Sequence, residues 1–240
     1  RVREGLVFRS AMTHHLTTVG LERLASGLGI RAVVDLRNEN EIEADGVAEF
    51  ANAGIVHHRV PITANAAMTA DEQHARLLAL RDGSVSWFDL YTQMAESAGE
   101  SFAEFLRIVA ATDAPLLFHC TGGRDRTGLA AALLLALLGV SDEEIARDYA
   151  LTGGALAPHA AKFERNMREM EMTADQWHGL VNTTEKPVLD FLGHIRGSHG
   201  SMPDYLSSIG VNSETQSVIR RRLIAQGRDA VAGAGAGAGD

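Results

Sequence analysis

A cysteine at position 120, the single one in 240 residues, is followed six positions later by an arginine, in the run Pro115-Leu-Leu-Phe-His-Cys-Thr-Gly-Gly-Arg-Asp-Arg-Thr-Gly128. A thiol, a planar guanidinium and two intervening glycines are the parts needed to attack and hold an oxyanion. An efficient thiol nucleophile has to be stabilised as its anion, because a free cysteine with a pKa of about 8.5 is only a few per cent ionised near neutrality. The apolar residues before Cys120 read as a short buried strand, and those after Thr127 (GLAAALLLALLG) as a buried helix. The segment between them is then a strand-to-helix turn, which presents backbone N–H groups and the positive end of a helix dipole to its contents. Gly122 and Gly123 let the turn curl so that the amides of Thr121 to Thr127 converge on one anion.

The anion that fits is phosphate. Phosphoryl transfer asks a protein chiefly for positioning and for charge stabilisation around three equatorial oxygens. A guanidinium can pair with two of those oxygens at once, which a lysine cannot, so Arg126 is the expected clamp. The hydroxyl of Thr127 is a further candidate to stabilise the thiolate, and His119 to fix the loop backbone. The competing reading of Cys120 is an inert buried thiol. It leaves the arginine and the glycines without purpose. A disulfide within the chain is excluded, and a zinc site lacks partners.

The string His119-Cys120-X5-Arg126-Thr127 resembles the active-site motif of the cysteine-dependent protein tyrosine phosphatase superfamily. The fuller loop HCTGGRDRTG looks like that of the bacterial and fungal group reading HCxxGKDRTG, related to dual-specificity and phosphoinositide phosphatases. Two further stretches resemble that group: Leu6 to Ser10 with Leu28 to Arg37 (LVFRS, LGIRAVVDLR), and Leu138 to Ser141 with Asp148-Tyr149. The resemblance covers roughly residues 5 to 225 and implies phosphate-monoester hydrolysis through a phosphocysteine. The family's usual lysine is replaced here by Arg124, which keeps the charge and changes its geometry.

The leaving alcohol needs a proton and a water must later be activated, so a carboxyl group is expected near Cys120. Three aspartates compete. Asp125 lies in the loop itself, and Asp35 closes a predicted strand, Ala32 to Leu36, whose carboxyl end lies on the ligand edge of a parallel sheet. The family's DLR motif supports Asp35, whose other reading is a strand-end carboxylate paired with Arg37. Asp89, in Trp87-Phe88-Asp89, mimics the acid loop of larger tyrosine phosphatases but lacks its proline. Its surroundings have helical spacing, with Trp87, Leu90, Tyr91 and Met94 on one apolar face, so it reads as a helix-surface residue.

The chain is long enough for one buried domain, expected over 1–230, followed by a flexible Gly/Ala-rich tail over 231–240. Its longest apolar run, Leu129 to Leu138, is far shorter than the roughly 20 residues of a membrane span. With 31 acidic against 22 basic residues, the net charge of −9 argues against a broad nucleic-acid surface. Attraction for a dianion must then be local, from Arg124, Arg126 and Arg37. The basic run Arg220-Arg221-Arg222 reads as a solvated helix face rather than a lipid contact. A single cysteine fits a reducing compartment, and a cytoplasmic location is expected, with export left open because the sequence starts without methionine.

Positioning these groups requires an α/β fold with a mainly parallel central sheet flanked by helices and a helix-rich C-terminal half. The pattern predicts strands at Leu6 to Arg9, Ala32 to Leu36, Ile55 to Val60 and 115–119. Helices are predicted over Thr17 to Leu28, Ala70 to Arg81, Ser84 to Ser97 and Glu100 to Ala111, with an almost wholly helical remainder after the loop. Residues 62–97 correspond to a lid in the resembling family; Met68, Trp87, Phe88 and Met94 read as shields of the site or, at helical spacing, as plain core. The pairs His14-His15 and His57-His58 cannot chelate one ion if they lie on strands, since neighbours point to opposite faces. The expected mechanism needs neither metal nor cofactor. The substrate is expected to be a phosphorylated protein, phosphotyrosine foremost with dual specificity open, or a phosphoinositide contacted through Arg124. A non-catalytic phosphate-binding module fits less well because nucleophile, clamp and acids are all present, and rhodanese-like sulfur transfer because the five-residue gap and the Arg126-Thr127-Gly128 ending suit phosphate better. The oligomeric state is left open.

Overall fold

The computed structural model describes residues 1–63, 70–153, 171–173 and 183–225. Met68 and the Gly/Ala tail lie outside the described residues. Four strands, β1 (Val7–Ser10), β2 (Ala32–Asp35), β3 (Val56–Arg59) and β4 (Leu116–His119), form one parallel sheet in the order β1-β4-β2-β3. The two inner strands are buried along their whole length. Their side chains divide by the two-residue period of a strand: Ala32, Val34, Leu116 and Phe118 join the large core, while Val33 and Leu117 join a smaller one on the opposite face. Both faces of the sheet are thus covered, as a parallel sheet requires.

The small face is closed by helix α1 (Thr18–Glu22), the π-turn 23–27 that follows it, and a 3-10 turn at Phe50–Ala53. The helix predicted over Thr17 to Leu28 is present as one continuous segment, N-capped by Thr17, that widens from α to π winding at Arg23 and ends at Leu28. The large face carries α4 (Trp87–Ser97), α5 (Gly99–Ala111) and α6 (Asp125–Leu137), with α3 (Ala70–Asp82) preceding them. After α6 come α7 (Asp142–Ala150), α8 (Lys186–His199), α9 (Met202–Ser208) and α10 (Ser213–Leu223). The predicted helix over Ser84 to Ser97 begins instead at Trp87. Ser86 is its N-cap, and Asp89 closes a capping box on the Ser86 backbone, which fixes the start.

One helix was absent from the sequence expectation. Helix α2 (Glu39–Asp45) follows β2 directly, started by a capping box between Asn38 and Glu41. The basic run also differs from expectation. Arg220 donates to the Leu137 carbonyl at 3.0 Å, and Arg222 to the carbonyls of Val109 at 2.7 Å and Ala114 at 2.5 Å. The Leu137 and Val109 carbonyls lie in the last turns of α6 and α5, where helices leave carbonyls without an internal partner, and Ala114 lies in the connection to β4. Among the described residues no helix is long and apolar enough to cross a membrane.

The register aligns the strand ends. Ser10 and Asp35 both pair with His119, and Arg59 pairs with Asp35, so the turns that follow β1, β2 and β4 open on one edge of the sheet. That carboxyl edge is where such sheets bind ligands.

Candidate active site

Cys120 leaves β4 and is buried at 2% exposure, with α6 beginning five residues later at Asp125. The Gly123 N–H points at the cysteine sulfur, 3.2 Å away. Gly123 takes φ +68°, and a Cβ there would lie 2.8 Å from the Ser10 carbonyl oxygen and 2.9 Å from the Ala11 nitrogen. Both atoms are backbone and cannot yield, so only glycine lets the turn press against the end of β1. The Met12 N–H to Thr121 carbonyl bond, at 3.1 Å, ties the same two segments together.

His119 secures the turn from beneath. Its ring is fully buried, with Nδ1 3.3 Å from the Cys120 carbonyl and Nε2 3.1 Å from the Thr13 hydroxyl. Burial lowers its pKa to about 4, outweighing the opposite pull of Asp35, and the nearby Arg37 and His57 add to the lowering. The ring is therefore neutral at pH 7. A carbonyl can only accept, so the hydrogen-bond network assigns the proton to Nδ1 and makes Nε2 the acceptor from Thr13.

Arg126 is in the first turn of α6 and grips a carboxylate. Its Nη2 lies 2.7 Å and its Nη1 2.5 Å from the two oxygens of Glu41, and Nη2 lies 3.4 Å from the Thr121 hydroxyl, which itself donates to Glu41. Burial works against the charge of Glu41, but the hydrogen bonds and charge of Arg126, with the Thr121 hydroxyl and the Asn38 N–H, bring its pKa from 4.5 down to about 2. The guanidinium is raised above its ordinary range, since Glu41, Cys120 and Asp125 together outweigh its burial.

The turn after β4 thus holds a thiol at a strand end, a backbone amide aimed at its sulfur and, in the first turn of the following helix, an arginine paired with Glu41. A model of the tyrosine phosphatase family matches residues 1–225. The chain belongs to the tyrosine phosphatase family. It is 36% identical over 151 residues to a Cupriavidus necator protein with the provisional name of tyrosine-protein phosphatase, spanning 62% of this chain and 54% of that one. A tyrosine-protein phosphatase of Nostoc commune is 28% identical over 90% of this chain and 73% of its own. The triple specificity protein phosphatase PtpB of Mycobacterium tuberculosis is 26% identical over 93% of this chain and 92% of its own.

The stretches that resemble this family converge in space. Arg9, from LVFRS, pairs with Asp148 at 3.1 Å and reaches the Thr152 hydroxyl at 3.1 Å and the Gly123 carbonyl at 3.5 Å, so it fastens the phosphatase loop to α7. Tyr149, next to Asp148, is hydrogen-bonded to Tyr91, and Tyr91 to Asp125. Arg124 bonds to Asp125 through Nε at 3.0 Å, and its guanidinium carbon lies 4.1 Å from the Trp87 ring centroid. Only 9% of Arg124 is exposed. Of the two readings open to Arg124, a substrate contact and a salt bridge to a nearby acid, the second is present: the cation lies between an indole and the Asp125 carboxylate. Thr127 is fully buried, and its hydroxyl has no hydrogen-bond partner among the described residues.

Asp35 has a setting unlike that expected of a proton donor. It is fully buried, and both its oxygens are taken by Arg37, at 3.0 Å and 3.2 Å from Nε and 2.7 Å from Nη2. Burial opposes its charge, but the His57 imidazole 3.5 Å away, the hydrogen bonds from Arg37 and the neighbouring His119 hold the carboxyl well below the usual range. The strand-end pairing with Arg37 is what the structure contains. Arg37 itself is fully buried and also binds the Gly46 carbonyl at 3.0 Å, so it presents no surface to a substrate in solution. Asp89 is exposed and caps α4.

Glu41 is the site residue that sequence reasoning missed. Its local signal is Asn38-X-X-Glu41, which reads as a helix start, and the same carboxylate that caps the helix faces Arg126. Nothing local distinguishes the two duties.

Proposed function

We propose that this chain hydrolyses phosphate monoesters of proteins, phosphotyrosine foremost, through a phosphocysteine intermediate. The observation that carries the reading is the loop itself: Cys120 Sγ with the Gly123 N–H upon it, and Arg126 at the start of α6 braced by Glu41. The thiolate attacks phosphorus, and the bond from phosphorus to the ester oxygen breaks as that oxygen takes a proton from Asp125. Asp125 then removes a proton from water, the resulting hydroxide attacks phosphorus, and the S–P bond breaks to return phosphate and thiolate. Arg126 and the loop amides balance the charge on the equatorial oxygens throughout.

Asp125, rather than Asp35, is the proton donor in this reading. It is the first residue of α6, 29% of its side chain is exposed, and it stands beside the clamp. Asp35 instead acts from beneath, holding Arg37 and the sheet end that supports His119. The phosphoinositide alternative drew on Arg124 as an extra phosphate contact. Its contacts with Trp87 and Asp125 make it a part of the loop in this reading, so a protein phosphate is preferred.

A panel of phosphotyrosine, phosphoserine and phosphothreonine peptides beside mono- and bis-phosphorylated inositides tests the proposal, with Cys120→Ser as control. Turnover is expected to be highest on phosphotyrosine and to vanish in Cys120→Ser. Activity surviving that substitution would overturn the mechanism. A preference for inositides that Arg124→Ala abolishes would overturn the substrate assignment.

A further inference from the structure

We propose that Tyr149 and Tyr91 form a directed hydrogen-bond chain that locks one oxygen of Asp125 and leaves the other, Oδ2, to deliver the proton. The inference rests on the reading of Asp125 as proton donor.

Tyr91 is fully buried on α4, with its hydroxyl 2.5 Å from Asp125 Oδ1 and 2.5 Å from the Tyr149 hydroxyl. A phenol has one proton to give, and an ionised carboxylate can only accept. Tyr91 therefore donates to Asp125, and the second bond is donated by Tyr149. Burial, followed by the charge of Asp125, keeps the Tyr91 phenol protonated far above neutral pH, so the donor is present at every working pH.

The two oxygens of Asp125 are not equivalent. Oδ1 accepts from Tyr91 and from Arg124 Nε at 3.0 Å, which occupies both its lone pairs. Among the described residues Oδ2 has only Arg124 Nη2, at 3.4 Å. A proton arriving on the carboxyl group then sits on Oδ2, and the fixed donors on Oδ1 prevent the group from turning over. A general acid gains from such fixed geometry, since misplacement by about 1 Å costs as much as 100-fold.

The surrounding residues favour this arrangement. A Cβ at position 128 would lie 2.6 Å from the Tyr149 ring, so Gly128, the last residue of the loop string, gives the ring its place against α6. Trp87 stands over Arg124, the second donor to Oδ1. Trp87 and Tyr91 belong to the face of α4 that periodicity marks as apolar. Their polar and π functions serve Asp125 from that face.

The test is kcat and KM for wild type, Tyr91→Phe, Tyr149→Phe, Asp125→Asn and the Tyr91→Phe/Asp125→Asn double variant, on aryl phosphates from good to poor leaving groups. Tyr91→Phe is expected to lower kcat about tenfold on phenyl phosphate and less than about threefold on an activated nitrophenyl ester, with KM and inhibition by inorganic phosphate unchanged. Tyr149→Phe should move the same readouts less. In the Asp125→Asn background Tyr91→Phe should add nothing. Equal losses on all leaving groups, or an undiminished Tyr91→Phe effect in that background, would reduce Tyr91 to a packing role and overturn the proposal. If Asp125→Asn alone keeps full kcat on phenyl phosphate, the acid assignment itself falls, which the single variant reports separately.

Discussion

Glu41→Gln should cripple turnover while sparing phosphate affinity, because Glu41 is a brace for Arg126 and not a rival of the substrate. A guanidinium has two edges able to form paired bonds. Glu41 takes the outer edge, Nη1 and Nη2, whereas Nε makes no hydrogen bond among the described residues. A phosphate can then take Nε, and Nη2 in place of its long 3.4 Å contact with the Thr121 hydroxyl, while Glu41 keeps its grip. The drop in its pKa from 4.5 to about 2 corresponds to about 3 kcal/mol favouring the charged carboxylate in this setting. Glutamine keeps the shape and one acceptor, loses the charge and turns an N–H toward the guanidinium. The expected loss of stability is about 2–3 kcal/mol at pH 7, measured by urea unfolding. Because the folded-state pKa is depressed, this contribution is fully present above the unfolded value of about 4.5 and disappears as pH falls toward about 2. The stability gap between wild type and variant should accordingly narrow over that window. With the clamp free to swing, kcat should fall by about 10- to 100-fold, and the inhibition constant of inorganic phosphate should stay within about threefold. A variant that binds phosphate about tenfold more tightly with undiminished kcat would show Glu41 to be a competitor in the cradle, and the brace argument would be wrong.

Three further substitutions probe the supports of the site. Gly123→Ala should cost at least about 2 kcal/mol and most of the activity, through positive φ and a backbone clash at 2.8 Å; thermal melts and single-turnover rates would show both, and a wild-type melt would contradict the loop geometry. Arg222→Leu removes the donor to the Val109 and Ala114 carbonyls and should destabilise by about 2 kcal/mol with kcat unchanged, as read by denaturant midpoint and steady-state assay. Asp35→Asn strands the buried charge of Arg37 and should cost about 3–5 kcal/mol. The Asp35 contribution is present above its ordinary pKa of about 3.9 and is lost on acidification below that. Per folded molecule, however, kcat on a poor leaving group should stay within a few-fold of wild type, and a hundredfold loss would restore Asp35 as the acid.

The parts of this fold that follow from local pattern were legible in the sequence. The strands, the cysteine turn and the buried α6 come from apolar runs and from glycines whose spacing admits few alternatives. Boundaries moved where a cap decided them. Ser86 and Asp89 start α4 three residues later than periodicity suggests, and Asn38 with Glu41 starts a helix that a seven-residue polar stretch conceals. The arginine run failed for another reason. Helical spacing finds the face on which Arg220 and Arg222 lie, but not that carbonyls at the ends of two other helices need donors there.

Partnerships across long separations were the least legible, and they are what makes the loop a site. Glu41 meets Arg126 across 85 residues and Tyr91 meets Asp125 across 34. In each case the residue already had a sufficient local explanation, as helix cap or as core, so nothing in the sequence demanded a second role. The tyrosine left a trace nonetheless. A phenol on an apolar helix face carries a hydroxyl that burial obliges to find a partner, whereas phenylalanine does not. Tyr91 and Tyr149 are both tyrosine and both buried; they bond to each other, and Tyr91 joins the pair to Asp125. A core that needed only volume at these positions would be served by phenylalanine, which removes two buried hydroxyls and the obligation with them. With Asp125 as the proton donor, this bonded pair ending on the loop carboxylate gives the two hydroxyls a part in the chemistry at Cys120 beside their place in the core.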